Sequence, residues 1–148
     1  MYGSAKTRES LLAAYKATNY CVDDATSGPF HFRIGECCPA LDRLLSETGF
    51  NDWVYITACN PGSRRLSDAE NARRMDELEA RLHALPCVIY HGRGVGTIGD
   101  WPPEPSLLVQ GLSENQGLDL GRSFGQAAIV AGRRGEPARL VWVTRRMQ

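Results

Sequence analysis

Asn60, Asn71, Glu104 and Gln126 are the side chains of this 148-residue chain best suited to recognise a small molecule. The two asparagines lie in "YITACNPGSRRLSDAEN", which reads as the end of a strand, a tight turn and the start of a helix. Amides there orient a ligand by hydrogen bonds, and ligands favour the carboxyl ends of strands that carry βα turns. Glu104 stands between Pro103 and Pro105 in "DWPPEPSLLV". Proline on both sides stiffens the backbone, and a stiffly held carboxylate suits a general base or a polar clamp. Gln126 follows "RSFG", with Gly125 as a helix C-cap, and opens the next strand. Ser63, Arg64 and Arg65 directly precede a helix, where exposed amides and two guanidinium groups attract a phosphate or carboxylate. This is no P-loop, because the GxxxxGK[ST] spacing is absent.

Each group also has a plainer reading. Asn71 falls four residues before Met75 and seven before Leu78, on the apolar face of its helix. An inward amide costs on the order of 1–3 kcal/mol unless its hydrogen bonds are met. The backbone around Asn60, Pro61 and Gly62 can meet them, and on this reading Asn71 simply pins the turn. Glu104 fits a salt bridge equally well, and arginines before a helix are commonly just solvated. Cys59, next to a helix N-terminus, would be nucleophilic only with a lowered pKa, and no histidine is tied to it by sequence. No HxxxH, HExxH or CxxC occurs, which leaves a metal site without support, and no GxSxG marks a serine hydrolase. No cofactor is implied.

The elements that must position these groups follow from pattern. Thr7 caps a first helix carrying Leu11, Leu12 and Tyr15. "NYCVDD" and "FHFRIG" form a short strand pair. Pro39 opens a second helix with Leu41, Leu44 and Leu45, and Gly49 ends it. "WVYITA" is a strand. Ser67 and Glu70 form a capping box for a third helix, with Ala72, Met75, Leu78, Leu82 and Leu85 inward and Arg73, Arg74, Asp76, Glu77 and Arg81 outward. "CVIYH" is a strand, and "GRGVGTIGDWPPEP" a flexible glycine- and proline-rich connection. "SLLVQGL" is the next strand, Ser113 and Gln116 cap a fourth helix with Leu120 and Phe124, and "QAAIVAG" with "ARLVWVT" makes a last hairpin. From Trp53 onward the order is strand, helix, strand, strand, helix, strand. That predicts an α+β fold in a single domain over residues 1–148, with a mixed or antiparallel sheet. Its ferredoxin-like split βαβ elements would be extended by an N-terminal helix–strand–strand–helix.

Composition narrows the function classes. Lysine plus arginine equals aspartate plus glutamate, 17 each, so the basic excess of a nucleic-acid binder is missing. No apolar run approaches the roughly 18 residues of a membrane span, and the first residues lack a secretion signal. A cytoplasmic protein follows, with its five cysteines reduced.

"YITACNP", "AEN", "DWPPEPSLLVQG" and "GRSFGQAAIV", with "AYKATNY" near the start, resemble the bacterial family called domain of unknown function 3293. The resemblance covers nearly the whole chain. The matching positions are Asn60, Pro61, Asn71, Trp101, Glu104, Gly125 and Gln126. Cys59 departs from the pattern, where a bulkier residue is expected, and this weakens any cysteine nucleophile. The resemblance implies a compact cytoplasmic domain and supports the polar positions; it implies no activity.

Two functions compete. In the first, the protein binds a small anionic or nucleotide-like molecule, with or without catalysis. Asn60, Asn71 and Gln126 orient the ligand, Ser63, Arg64 or Arg65 meets its charge, and Glu104 is the base or clamp. In the second, it is a noncatalytic interaction module, a homodimer anchored by Trp53, Trp101 or Trp142, and the polar motifs only hold turns. RNA binding through the sheet lacks both charge and the aromatic motif.

Overall fold

Thr7, Ser67 and Ser113 each accept a hydrogen bond from the backbone amide three residues on, and so start three of the helices. Glu70 and Gln116 complete capping boxes at the latter two. Pro39 opens the remaining one, which Gly49 closes in the left-handed conformation at φ 82°. The computed structural model describes residues 7–99 and 101–143. The elements run α1 (Arg8–Lys16), β1 (Thr18–Val22), β2 (Phe30–Phe32), α2 (Pro39–Thr48) and β3 (Asp52–Ile56), then α3 (Asp68–His83), β4 (Val88–Gly96), β5 (Glu104–Gln110), α4 (Glu114–Ser123), β6 (Ala128–Arg133) and β7 (Arg139–Trp142). A single 3₁₀ turn, Pro61–Ser63, separates β3 from α3. Thr144, expected at the end of the last strand, and Asp100, expected in the glycine- and proline-rich connection, lie outside the described residues.

The seven strands form one sheet in the order β2-β1-β4-β5-β3-β6-β7. Every pairing is antiparallel, which decides between the mixed and antiparallel alternatives. Alternation along the strands splits the core in two. Trp53, Tyr55, Leu108 and Val130 join Tyr20, Phe32 and the leucines of α2 on one face. Val54, Ile56, Leu107, Val109 and Ile129 join Leu78 and Leu82 of α3 on the other. Each fully buried leucine there contributes about 1.5–3 kcal/mol. Tyr20, Phe32, Trp53 and Tyr55 pack ring on ring with centroids 5.0–5.5 Å apart.

Several expectations need correction. β4 continues through Gly92, Gly94 and Gly96, so the first part of the expected glycine- and proline-rich connection is strand. The reason is at Gly92, where a Cβ would lie 1.8 Å from the Cys21 carbonyl oxygen; only glycine lets β1 come this close. β5 starts at Glu104 rather than Ser106. Ala72 is exposed. The buried positions of α4 itself are Gly117 and Gly121, which bring the helix against Val54 and Ile129. Gly125 comes one residue after the cap Phe124, and Gln126 precedes β6 without belonging to it.

Gln110 is fully buried between β5 and the end of α2. Its Oε1 accepts from Thr48 Oγ1 at 2.6 Å, while its Nε2 has no partner among the described residues. Gln110→Met keeps the volume and removes the orphaned donor, and Thr48 still donates to the carbonyls of Leu44 and Leu45. We expect a gain of about 1 kcal/mol, the orphan penalty less one hydrogen bond, read from the urea midpoint.

His91 on β4 bridges two elements: Nδ1 is 2.7 Å from Asp24 and Nε2 3.0 Å from Glu79 of α3. Hydrogen bonds to Asp24 and then to Glu79 raise its pKa above the usual histidine value. A raised folded-state pKa stabilises fully below the unfolded value near 6.5, and that gain is lost as pH rises through the folded value. The site is half exposed, so solvent keeps the effect below about 1 kcal/mol. The urea midpoint should fall between pH 6 and pH 8, and fall less in Asp24→Asn.

Candidate functional site

The turn after β3 is built around Asn60, which takes the left-handed conformation at φ 49°, ψ 61°. Asparagine tolerates this region better than most residues. Its backbone N–H donates to Asn71 Oδ1 at 3.0 Å, and Asn71 Nδ2 donates back to Asn60 Oδ1 at 2.9 Å. Leu66 N–H donates to that same oxygen at 2.9 Å. With its oxygen thus engaged twice, the Asn60 amide has one orientation, and Nδ2 donates to Glu104 Oε2 at 2.7 Å. Asn71 acts from behind, locking Asn60, and does not line the cavity described next.

Two further groups brace the turn. Arg74 of α3 donates from Nε to the Ala58 carbonyl at 2.6 Å and from Nη2 to the Phe124 carbonyl. It was expected on the solvated face; instead it joins the turn to the end of α4. Gln126 Nε2 donates to the Cys59 carbonyl at 2.9 Å and to the Phe124 carbonyl at 3.3 Å. Gly62 N–H donates to the Gly125 carbonyl at 2.8 Å, and Pro61 packs where a Cβ on Gly125 would stand, 2.9 Å away. Glycine is required at position 125 by this contact and by its φ of 70°.

In front of the turn lies a cavity of about 470 Å³. Asn60, Glu104, Gln126 and Ser63 line it, together with Tyr15 of α1, Tyr20, Tyr55, Trp101 and the strand glycines Gly94 and Gly96. The cavity exists because β4 carries no side chains there: Gly94 sits between Tyr20 on β1 and Glu104 on β5 in one cross-strand row. α1 contributes Leu11, Ala14 and Tyr15. It is tied down by Thr18 and Tyr20, whose hydroxyls donate to the carbonyls of Ala14 and Tyr15.

Burial raises the pKa of Glu104, and hydrogen bonds from Asn60 and Trp101 recover part of that cost. Burial likewise pushes the Tyr15 phenol up to about 12, with the Glu104 charge adding to it. The Cys59 thiol is pushed up to about 11 by burial, against the pull of Thr57. At neutral pH Cys59 is a thiol and no nucleophile.

The positions singled out from sequence therefore divide. Asn60, Ser63, Glu104 and Gln126 share the cavity, and Asn71 holds Asn60. Arg64 and Arg65 are exposed and outside its lining. Two of the amides at the helix start beside them, those of Ser67 and Glu70, are engaged by the Ser67–Glu70 capping box, whose own carboxylate repels an anion. Sequence reading missed Arg74 and the tyrosine walls. The alternation Gly92-x-Gly94-x-Gly96 was the available signal for a strand with one bare face. Among the described residues no group of three or more potential ligands could hold a metal ion, and no helix is long and apolar enough to cross a membrane.

A family model described as a protein of unknown function, DUF3293, matches residues 56–129. No curated protein and no solved structure matches the chain. The matched segment runs from the end of β3 to the start of β6, holds Asn60, Asn71, Glu104 and Gln126, and makes up half of the chain. The chain belongs to the DUF3293 family.

Proposed function

We propose that this protein binds a small molecule in the cavity between α1 and the sheet, with Glu104 as its polar anchor and candidate acid or base. The observation that carries the reading is the chain of hydrogen bonds Asn71–Asn60–Glu104, which aims one buried carboxyl into a 470 Å³ space. That volume is within the range of ligand sites, and mostly apolar walls with a few fixed polar groups are their usual make-up. A carboxyl in a cleft whose pKa burial raises above the usual glutamate value is typical of functional sites. The order β4-β5-β3-β6, with α3 and α4 between successive strands, supports reading the central unit as ferredoxin-like.

A thermal-shift screen of nucleotides, sugar phosphates, amino acids and amines tests the reading. At least one class should raise the melting temperature of the wild type, and Glu104→Gln should lose that shift while keeping its circular dichroism spectrum. A screen without any stabilising compound, or one whose hits ignore Glu104→Gln, would count against it. The homodimer alternative draws less support, because its tryptophans have other partners. Trp53 is in the core, Trp142 packs edge-on against Tyr15, and Trp101 donates to Glu104.

A further inference from the structure

Most of the side-chain donors around the cavity are taken up by the protein's own acceptors. Tyr55 Oη donates to the Cys21 carbonyl at 2.7 Å and Tyr20 Oη to the Tyr15 carbonyl at 3.0 Å. Thr57 Oγ1 donates to the Pro105 carbonyl at 2.7 Å and Ser106 Oγ to the Glu104 carbonyl at 3.0 Å. The Gln126 nitrogen serves two carbonyls, and the Asn60 nitrogen serves Glu104. Apart from the Tyr15 and Ser63 hydroxyls, which can donate or accept, what the wall offers is acceptor capacity: the remaining lone pairs of Glu104, the Gln126 oxygen and the tyrosine ring faces. Among the described residues no lysine, arginine or histidine lines the cavity. A buried carboxylate whose fixed partners are two neutral N–H groups lacks the positive charge that would make its burial favourable.

We propose that the ligand supplies that charge: it is a small organic cation, an ammonium, amidinium or guanidinium group on a flat or apolar body, seated on Glu104 between the tyrosines. This rests on the reading of the cavity as a ligand site. It changes the expected ligand from an anion to a cation. An amidinium presents two parallel N–H groups to one carboxylate, and aromatic faces attract the charge that remains.

Benzamidine and tryptamine at 10 mM, set against benzoate and AMP at the same concentration, provide the test by thermal shift and isothermal titration. The cations should raise the melting temperature by roughly 2–5 °C, as expected for millimolar dissociation constants, and benzoate and AMP should not. Glu104→Gln should weaken cation binding by at least about tenfold, a loss typical of a buried charged hydrogen bond. Tyr15→Leu, which leaves the acid in place, should weaken it by several-fold through loss of the ring. Stabilisation by benzoate or AMP instead, or cation binding indifferent to Glu104→Gln, would overturn the assignment of ligand class and leave the cavity as a site. Silence from all four probes, together with silence in the broader screen, would overturn both.

Discussion

Gly94→Val should abolish ligand stabilisation while leaving the melting temperature of the free protein equal or higher. A Cβ at Gly94 would meet Thr18 Cγ2 at 3.6 Å, an ordinary contact, and the position carries no left-handed strain. Valine in a strand is worth up to about 1 kcal/mol over glycine. The same side chain would stand in the row between Tyr20 and Glu104 and occupy the space in front of the carboxyl. Stability and binding are thus expected to move in opposite directions, which a general loss of structure would not produce. Gly92→Ala is the contrasting control. Its Cβ meets the Cys21 carbonyl oxygen at 1.8 Å, so β1 must part from β4, and a loss of several kcal/mol or of soluble protein is expected. Benzamidine titrations of Gly94→Val, with thermal unfolding of both variants, check the pair. Wild-type binding by Gly94→Val would show that the ligand sits elsewhere.

Asn71→Ala should lower the melting temperature by roughly 5–10 °C, a loss of about 2–3 kcal/mol. The substitution removes two hydrogen bonds and leaves the Asn60 N–H without its acceptor in a turn that is largely buried. It also leaves the Asn60 oxygen with Leu66 N–H as its remaining donor, so the amide that donates to Glu104 is held less firmly. Binding should weaken even though Asn71 does not touch the cavity. Asn71→Asp separates the two effects. It keeps the oxygen that accepts from the Asn60 N–H but places a second acceptor against Asn60 Oδ1, so it should restore little. Differential scanning calorimetry with a binding titration on each variant reads both consequences. A melting temperature within 1–2 °C of wild type would mean that the amide pair contributes no more than an exposed polar contact.

Much of the fold was legible because its signals are local. Ser67 with Glu70, Ser113 with Gln116, Pro39 and Gly49 announce helix ends through backbone chemistry within four residues. Leu78 and Leu82 announce a buried face by their period. Strand β4 was less legible, since three glycines in alternation look like a flexible loop until Cys21 and Tyr20 are known to lie alongside. Nothing local predicts that pairing. The site divides in the same way. Asn60, Asn71 and Glu104 stood out because an inward amide and a proline-flanked acid are unusual in their own segments. Arg74 did not, because a guanidinium on a polar helix face is ordinary until the two carbonyls it reaches, 16 and 50 residues away, are brought beside it. The arginine pair shows the reverse: its charge is legible in the sequence, but its place outside the cavity lining is not. Its sequence neighbourhood suits an anion, but the helix start behind it already holds the Glu70 carboxylate on Ser67.

The most direct measurement is a pH titration of the Glu104 side-chain carboxyl by carbon NMR, without and with benzamidine. In the free protein the midpoint should lie above that of an ordinary glutamate, because burial disfavours the charge more than Asn60 and Trp101 support it. Tyr15, Tyr20 and Cys59, the titratable neighbours coupled to it, stay neutral across this range, because burial raises all three. Benzamidine, as a cation, favours the ionised carboxylate, so the midpoint should fall when it binds. A Glu104 that titrates as an exposed carboxylate and does not respond to benzamidine would contradict both the buried anchor and the cationic ligand.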